Sequence, residues 1–139
     1  MINFFCEDIE FKVPQSRSAK TWLKSIATTE GFELNQLNYL FCSDEHILSI
    51  NRQYLEHDFY TDIITFDNSE DEKVIEGDIF ISIERVQENA KNLNQIFEVE
   101  FRRVLAHGVL HLCGYNDTDD SQEEMMRTKE DFYLSLFSK

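Results

Sequence analysis

The chain has 139 residues, 42% of them hydrophobic and 13% aromatic, which suffices for one core, so a single domain over residues 1–139 is expected. A net charge of −14 excludes a protein that coats nucleic acid nonspecifically, and no DNA partner is expected. Acidic first residues and short apolar runs exclude a secretory signal and a membrane partner, so a cytoplasmic protein is expected. Cys6, Cys42 and Cys113 lack C-x-x-C spacing and are expected to pack as reduced thiols.

The first half of the chain alternates strand and helix patterns. In order, it predicts a strand over 2–6, an amphipathic helix over 18–31, a strand over 34–42 and a helix that begins at residue 43 or 44. The apolar side chains of that second helix, expected to face the core, are Ile47, Leu48, Tyr54 and Leu55.

The second half begins with two β-branched runs, 62–66 and 74–83, which predict an antiparallel hairpin around an acidic loop. Helices are expected over 84–94, over 98–113, and from Ser121 onward, where Glu124 gives Ser121 capping-box spacing. The last helix is expected to turn Met125, Phe132, Tyr133, Leu136 and Phe137 toward the core. This order predicts an α+β domain, with a mixed sheet of about four strands and helices packed on it.

The helix over 98–113 carries two of the four histidines on its most apolar stretch. His107 and His111 are four residues apart, so their rings lie on one face, offset by about 40°. Gly114 can end the helix in a left-handed conformation and return Asp117 over its last turn. An isolated pair of this kind is more often structural, but a buried setting and a returning carboxylate favour a three-ligand metal site with an open fourth position.

The residues of this segment resemble a known family. HGVLHLCGYND, residues 107–117, is similar to the H-G-x-L-H-L-x-G-Y-D-H motif of the YbeY-type endoribonucleases. NRQYLEHDFYTDIITF, residues 51–66, and the Gly-Asp-Ile-x-Ile-Ser run at 77–82 also match that family. The resemblance implies a metal-dependent endoribonuclease, specific for single strands, that matures the 3′ end of small-subunit (16S) ribosomal RNA and acts in ribosome quality control. It also implies a central metal-bearing helix, one zinc ion or another divalent transition metal, and ribosomal RNA and the small subunit with its proteins as partners.

Three positions depart from the family pattern. The third ligand, usually histidine, is Asp117, and a carboxylate is also a competent zinc ligand. We expect the altered charge to make a weaker Lewis acid. Leu55 replaces an arginine and Tyr60 a proline, so the basic contact usually assigned to the cleft needs a substitute, for which Arg52 and His57 are candidates.

Two further residues have a functional and a structural interpretation. Arg103 lies one turn before His107 and could contact a substrate phosphate, although an exposed ion pair with Glu98 or Glu100 is favoured. Asp62 is a candidate for the carboxylate that orients a ligating histidine, or for a turn contact. No general acid or base is assigned. His46 has no ligand spacing to the other histidines and is expected to face solvent.

Two other functions compete with the endoribonuclease. A zinc peptidase would share the paired histidines, but Gly108 stands where such enzymes place a general-base glutamate. A noncatalytic ribosome-assembly factor would use the metal to clamp the last helix to the core. The acidic charge favours this second alternative, because it suits docking onto basic ribosomal proteins.

Overall fold

A computed structural model of the chain describes residues 1–56 and 60–137. Four strands form one mixed sheet in the order β1-β2-β4-β3, where β1 is Ile2–Cys6, β2 Glu33–Cys42, β3 Ile63–Asp67 and β4 Val74–Ser82. β2 is parallel to β1 and β4, and β3 is antiparallel to β4 with Thr65 opposite Ile79. The predicted hairpin and mixed four-stranded sheet are confirmed.

Five helices pack on this sheet, as the α+β prediction requires. They are α1 (Ser16–Thr29), α2 (Asp44–Leu55), α3 (Ile83–Asn92), α4 (Phe97–Leu112) and α5 (Asp120–Ser135). The main core joins α1, α4 and α5 to one face of the sheet, and α2 covers the other face through a smaller cluster around Ile47, Ile50 and Ile64. Within the described residues, no helix combines the length and the apolar composition of a membrane span.

Helix α4 lies at the centre of the domain, in contact with α1, α3, α5, β3 and β4. Its residues Phe101, Leu105, Val109 and their neighbours are buried on nearly every side, as the composition predicted. Gly108 permits the close approach to the sheet, because a Cβ there would lie 2.7 Å from Cδ1 of Ile79. The packing of this one helix therefore fixes the direction of the side chains that it carries.

The predicted inward face of α5 is partly wrong. Tyr133 is buried, and Phe137 packs edge-on against Trp22 at 5.4 Å, but Met125, Phe132 and Leu136 are 51%, 51% and 56% exposed. The buried positions of this helix are Met126, Glu130 and Tyr133, which share one face at helical spacing. The capping residue lies two positions earlier than predicted, because Asp119, rather than Ser121, accepts the hydrogen bond from the Gln122 amide.

Four smaller expectations are also corrected. Tyr54 and Leu55 are exposed on α2, because Ile50 and Asn51 take the inward positions of its last turns. His46, expected in solvent, is half-buried against the ring of Phe80. All three cysteines are free thiols, but only Cys42 is buried, Cys113 is half-buried and Cys6 is exposed.

Candidate functional site

A cleft of about 590 Å³ runs along α4 between the sheet edge and α5. Its lining includes Asn51 and Leu55 of α2, residues 61–65, Glu100, Arg103, Val104, His107 and His111 of α4, Asp117, and Glu123, Met126, Arg127 and Glu130 of α5. The cleft thus brings the two histidines and the downstream carboxylate to one cavity.

The turn after α4 delivers Asp117 to this cavity as the sequence predicted. Gly114 has a φ of 104°, a left-handed conformation that favours glycine, and the Tyr115 amide donates back to the Leu110 carbonyl at 3.1 Å. Oδ2 of Asp117 lies 3.4 Å from Nε2 of His107. The helix end therefore turns the chain so that a carboxylate faces an imidazole nitrogen.

This separation suits a shared metal ion. Two ligand atoms that each lie ~2.0–2.1 Å from one tetrahedral zinc ion are about 3.3–3.4 Å apart. Imidazole nitrogen and carboxylate oxygen are both ordinary zinc ligands, and His111 lines the same cleft one helical turn later. Over residues 1–56 and 60–137, no three His, Cys, Asp or Glu side chains already converge as a metal cluster.

The other nitrogen of His107 is held by a residue that sequence reasoning missed. Nδ1 lies 2.8 Å from Oε2 of Glu130, a glutamate of α5 that is 5% exposed. Burial by itself lowers the pKa of the imidazole. The hydrogen bond and charge of Glu130, with Asp117 and Asp62 nearby, outweigh this effect, so the pKa of His107 is raised.

Arg103 is committed to the same glutamate. Its guanidinium donates to Oε1 of Glu130 at 3.1 Å and to Oδ1 of Asp131 at 2.6 Å, with 15% of the side chain exposed. The predicted pairing with Glu98 or Glu100 is therefore corrected, because α5 brings two closer carboxylates across the helix interface. Arg103 still lines the cleft, but its guanidinium already has two anionic partners.

Asp62 lies on the opposite wall of the cleft. Its carboxylate accepts a hydrogen bond from Nδ2 of Asn89 at 3.4 Å, and its backbone carbonyl accepts one from the Ser82 amide at 2.9 Å. Burial raises the pKa of Asp62, and the nearby His107 opposes that rise. The carboxylate hydrogen-bonded to a candidate ligand is thus that of Glu130, whereas Asp62 is anchored to α3.

Two basic candidates from the sequence remain, Arg52 and His57, and the structure adds a third basic residue at the cleft. Arg52 is exposed on the last turn of α2, whose Asn51 and Leu55 form part of the described lining. His57 lies outside the described residues. Arg127 was not singled out from the sequence, yet it is an exposed arginine of α5 that lines the cleft near Glu100. The sequence separation between Arg127 and His107 does not predict that they share a site, because only the packing of α5 on α4 brings both residues to the cleft.

The loop that carries Asp117 is anchored from behind by Glu30, the residue after α1. Its carboxylate accepts hydrogen bonds from the hydroxyls of Tyr115 and Tyr133, the first at 2.7 Å, and from Nζ of Lys129 at 3.2 Å. These contacts tie α1 to both the loop and α5. They hold the backbone two residues before the candidate ligand.

The peptidase alternative does not suit this site. A glutamate in place of Gly108 would begin with a Cβ that lies 2.7 Å from Ile79 and 3.3 Å from Ile63, inside the helix–sheet interface. That position faces the core, while the histidines line the cleft. The general-base carboxylate of such enzymes therefore has no place here.

Comparisons with known proteins agree over nearly the whole chain. A family model described as Endoribonuclease YbeY matches residues 2–138. A protein of Cytophaga hutchinsonii named Endoribonuclease YbeY is 54% identical over 135 residues, covering 97% of this chain and 94% of the relative. One of the same name from Flavobacterium johnsoniae is 47% identical over 137 residues, covering 99% and 97%. The solution structure of TM1509 from Thermotoga maritima has a TM-score of 0.68 and 29% identity, over 97% of this chain and 87% of that one.

Proposed function

Because the chain belongs to the YbeY endoribonuclease family, whose members are metal-dependent hydrolases of RNA, we propose that it cleaves single-stranded ribosomal RNA. The proposed substrate is the 3′ end of the small-subunit (16S) RNA during its maturation, and the same activity serves ribosome quality control. The proposed partners are the small subunit and its proteins, in the cytoplasm. A single endoribonuclease domain over residues 1–139 carries the activity.

The proposed cofactor is one zinc ion, bound by His107, His111 and Asp117. The observation that carries this proposal is the 3.4 Å separation of His107 Nε2 and Asp117 Oδ2 inside the cleft, with His111 on the same lining. When bound, zinc supplies a Lewis acid beside the scissile phosphate. Another divalent transition metal would meet the same donor set.

The basic residues of the cleft are proposed to hold the RNA backbone. Arg127 is the strongest candidate, because its guanidinium is exposed on the cleft wall. Arg103 is held by Glu130 and Asp131, which already neutralise its charge and occupy its donors, so it is the weaker of these two arginines as a phosphate contact. Arg52, on the last turn of α2, remains a candidate, and so does His57, which lies outside the described residues. Asp62 is proposed to act on the site through its charge, not through a ligand contact.

The activity is tested with purified protein on ribosomal RNA and on whole small subunits, with zinc, with a chelator, and as the variant His111→Ala. We expect the variant and the chelator each to lower cleavage at least about 100-fold, the loss typical of removing a group that stabilises transition-state charge. His46→Ala is the matched control, because that histidine packs on Phe80 away from the cleft. Cleavage that ignores both chelator and His111→Ala would overturn the proposal.

The assembly-factor alternative keeps one supporting observation, the net charge of −14. Under that alternative the wild type and His111→Ala both bind small subunits and neither cleaves RNA. Under the proposed function, the wild type cleaves and His111→Ala binds without cleaving. Binding and cleavage measured on the same preparation separate the two functions.

The proposed contact of Arg127 has a readout independent of cleavage. In metal-free protein, Arg127→Ala should weaken binding to a single-stranded ribosomal RNA fragment. It should also reduce the steepness with which the logarithm of the RNA-binding constant falls with the logarithm of the salt concentration by about 0.7, the value for one phosphate contact on a single strand. Arg17→Ala removes the same charge from an exposed position on α1 and should leave the slope unchanged. Equal slopes for the two variants would contradict the contact.

A further inference from the structure

Glu130 is the charged group of the cleft wall that has the least contact with solvent, with a side chain that is 7% exposed. Each of its carboxylate oxygens has its own partner on α4: Oε1 lies 3.1 Å from the Arg103 guanidinium and Oε2 lies 2.8 Å from Nδ1 of His107. A buried carboxylate needs such partners, because an uncompensated charge in the interior is strongly destabilising.

The identity of these partners sets the direction of the hydrogen bond to His107. An ionised carboxylate only accepts hydrogen bonds, and a guanidinium only donates them. Nδ1 of His107 must therefore carry the proton that points at Oε2 of Glu130. In the neutral imidazole this leaves the lone pair on Nε2, the nitrogen that lies 3.4 Å from Asp117 in the cleft.

We propose that Glu130 is a positioning residue: held by Arg103, its carboxylate fixes the tautomer and ring orientation of His107, so that Nε2 presents its lone pair beside Asp117. The inference rests on the proposed function, since it assumes that His107 is a ligand. Carboxylates that hold the second nitrogen of a ligating imidazole in this way raise metal affinity.

A purely structural ion pair would not require this arrangement. Arg103 already has Asp131 as a second anionic partner at 2.6 Å, so the fold could neutralise the arginine without Glu130. A buried ion pair is also weak evidence for a stability role, because replacing such a pair with apolar residues of similar volume is often neutral or stabilising. The second oxygen of Glu130 is instead directed at a ring that lines the cleft.

The test measures zinc affinity and ring tautomer in three variants. Zinc affinity is measured by competition with a chromophoric chelator, and the position of the His107 ring proton by nitrogen NMR of the metal-free protein at a pH where the imidazole is neutral. Glu130→Gln is expected to weaken zinc binding about 10–100-fold and to shift part of the ring proton from Nδ1 to Nε2. Glu130→Asp, which keeps the charge, should recover part of both.

Asp44→Asn is the control, because Asp44 is also a partly buried carboxylate with a partner on each oxygen, the Ser82 hydroxyl and the Arg85 guanidinium, and lies outside the cleft lining. It should lower the thermal midpoint of unfolding while zinc affinity stays within about twofold, far below the 10–100-fold effect of a ligand-orienting carboxylate. A loss of zinc affinity common to Glu130→Gln and Asp44→Asn would assign the effect of Glu130→Gln to general destabilisation and overturn the proposal.

Two results separate this inference from the proposed function. If His111→Ala loses zinc but Glu130→Gln keeps wild-type affinity and tautomer, the metal site stands and the role of Glu130 is overturned. If the wild type binds no zinc, the proposed metal site fails and so does the role of Glu130 toward a metal ligand. The ring proton then decides only whether Glu130 fixes the tautomer of His107: a proton on Nδ1 supports that part and a proton on Nε2 overturns it. Should Glu130→Gln fail to fold, Glu130→Asp supplies the same two measurements.

Discussion

Glu130, a residue of α5, and Glu30, which contacts α5 from the end of α1, differ in what their partners can do. Both side chains are largely buried, 7% and 10% exposed. Both oxygens of Glu130 hold α5 to α4, whereas Glu30 binds α5 through Oε2 and the Tyr115 loop through Oε1. Glu130 meets an arginine and an imidazole that line the cleft. Glu30 accepts hydrogen bonds from Tyr115, Tyr133 and Lys129, which lie outside the cleft lining.

The difference shows that burial of a carboxylate is not by itself a sign of function. Burial tends to raise the pKa of Glu30, but the hydrogen bonds from Tyr133, Tyr115 and Lys129 outweigh it and lower that pKa below its usual value. None of these partners changes protonation near neutral pH, so the cluster stabilises the fold and anchors the loop at Tyr115 without setting the tautomer of a cleft residue. The partner of Glu130 is an imidazole, whose tautomer decides which nitrogen can bind a metal.

The largest effect that sharpens this comparison is expected from Glu30→Gln on the free energy of unfolding. Glutamine keeps the shape of the side chain but removes the negative charge that accepts three hydrogen bonds. We therefore expect the free energy of unfolding to fall by about 2–3 kcal/mol at neutral pH. Chemical denaturation of the metal-free protein measures it. A variant as stable as the wild type would remove the structural role assigned to Glu30.

The pH dependence of that loss is the next largest effect. Because the pKa of Glu30 is lowered on folding, its contribution is fully present above the unfolded value of about 4.5 and disappears as the pH falls through the folded value. The stability difference between wild type and Glu30→Gln should therefore shrink below pH 4.5. Unfolding curves from pH 7 to pH 3 measure it, and a constant difference would show that packing, not charge, is lost.

The smallest effect is expected from Asp131→Asn, which removes the exposed partner of Arg103. The Asp131 side chain is 58% exposed, so solvent screens the pair and its loss should change stability by less than about 1 kcal/mol. Zinc affinity should stay close to that of the wild type, since Arg103 keeps Glu130. A fall in zinc affinity as large as that of Glu130→Gln would show that Asp131 belongs to the same unit.

Local patterns predicted the elements of this fold well, because strands and helices follow from spacing within about fifteen residues. The left-handed turn at Gly114 and the return of Asp117 are local in the same sense, and both are observed. The glycine, the turn and the carboxylate lie within a few residues, so their chemistry could be inferred without knowledge of the rest of the chain.

The orientation of α5 could not be predicted in the same way. Met125, Phe132 and Leu136 form an apolar stripe that competes with the true inward face, and that face contains the charged Glu130. A glutamate is placed inward only because Arg103 and His107, more than twenty residues earlier, satisfy it. The same long separation explains why Asp62, rather than Glu130, was the sequence-based candidate for the orienting carboxylate.

The close seating of α4 on the sheet at Gly108 has a mechanical consequence. With Ile79 filling the space that a methyl group would need, the helix cannot swivel about its axis without moving β4. His107 and His111 both lie on α4, whereas Asp117 lies on the loop that follows this helix. We therefore expect a deformation of the sheet to move the two imidazoles together relative to Asp117, so that the geometry of the proposed ligand set depends on the packing of aliphatic side chains.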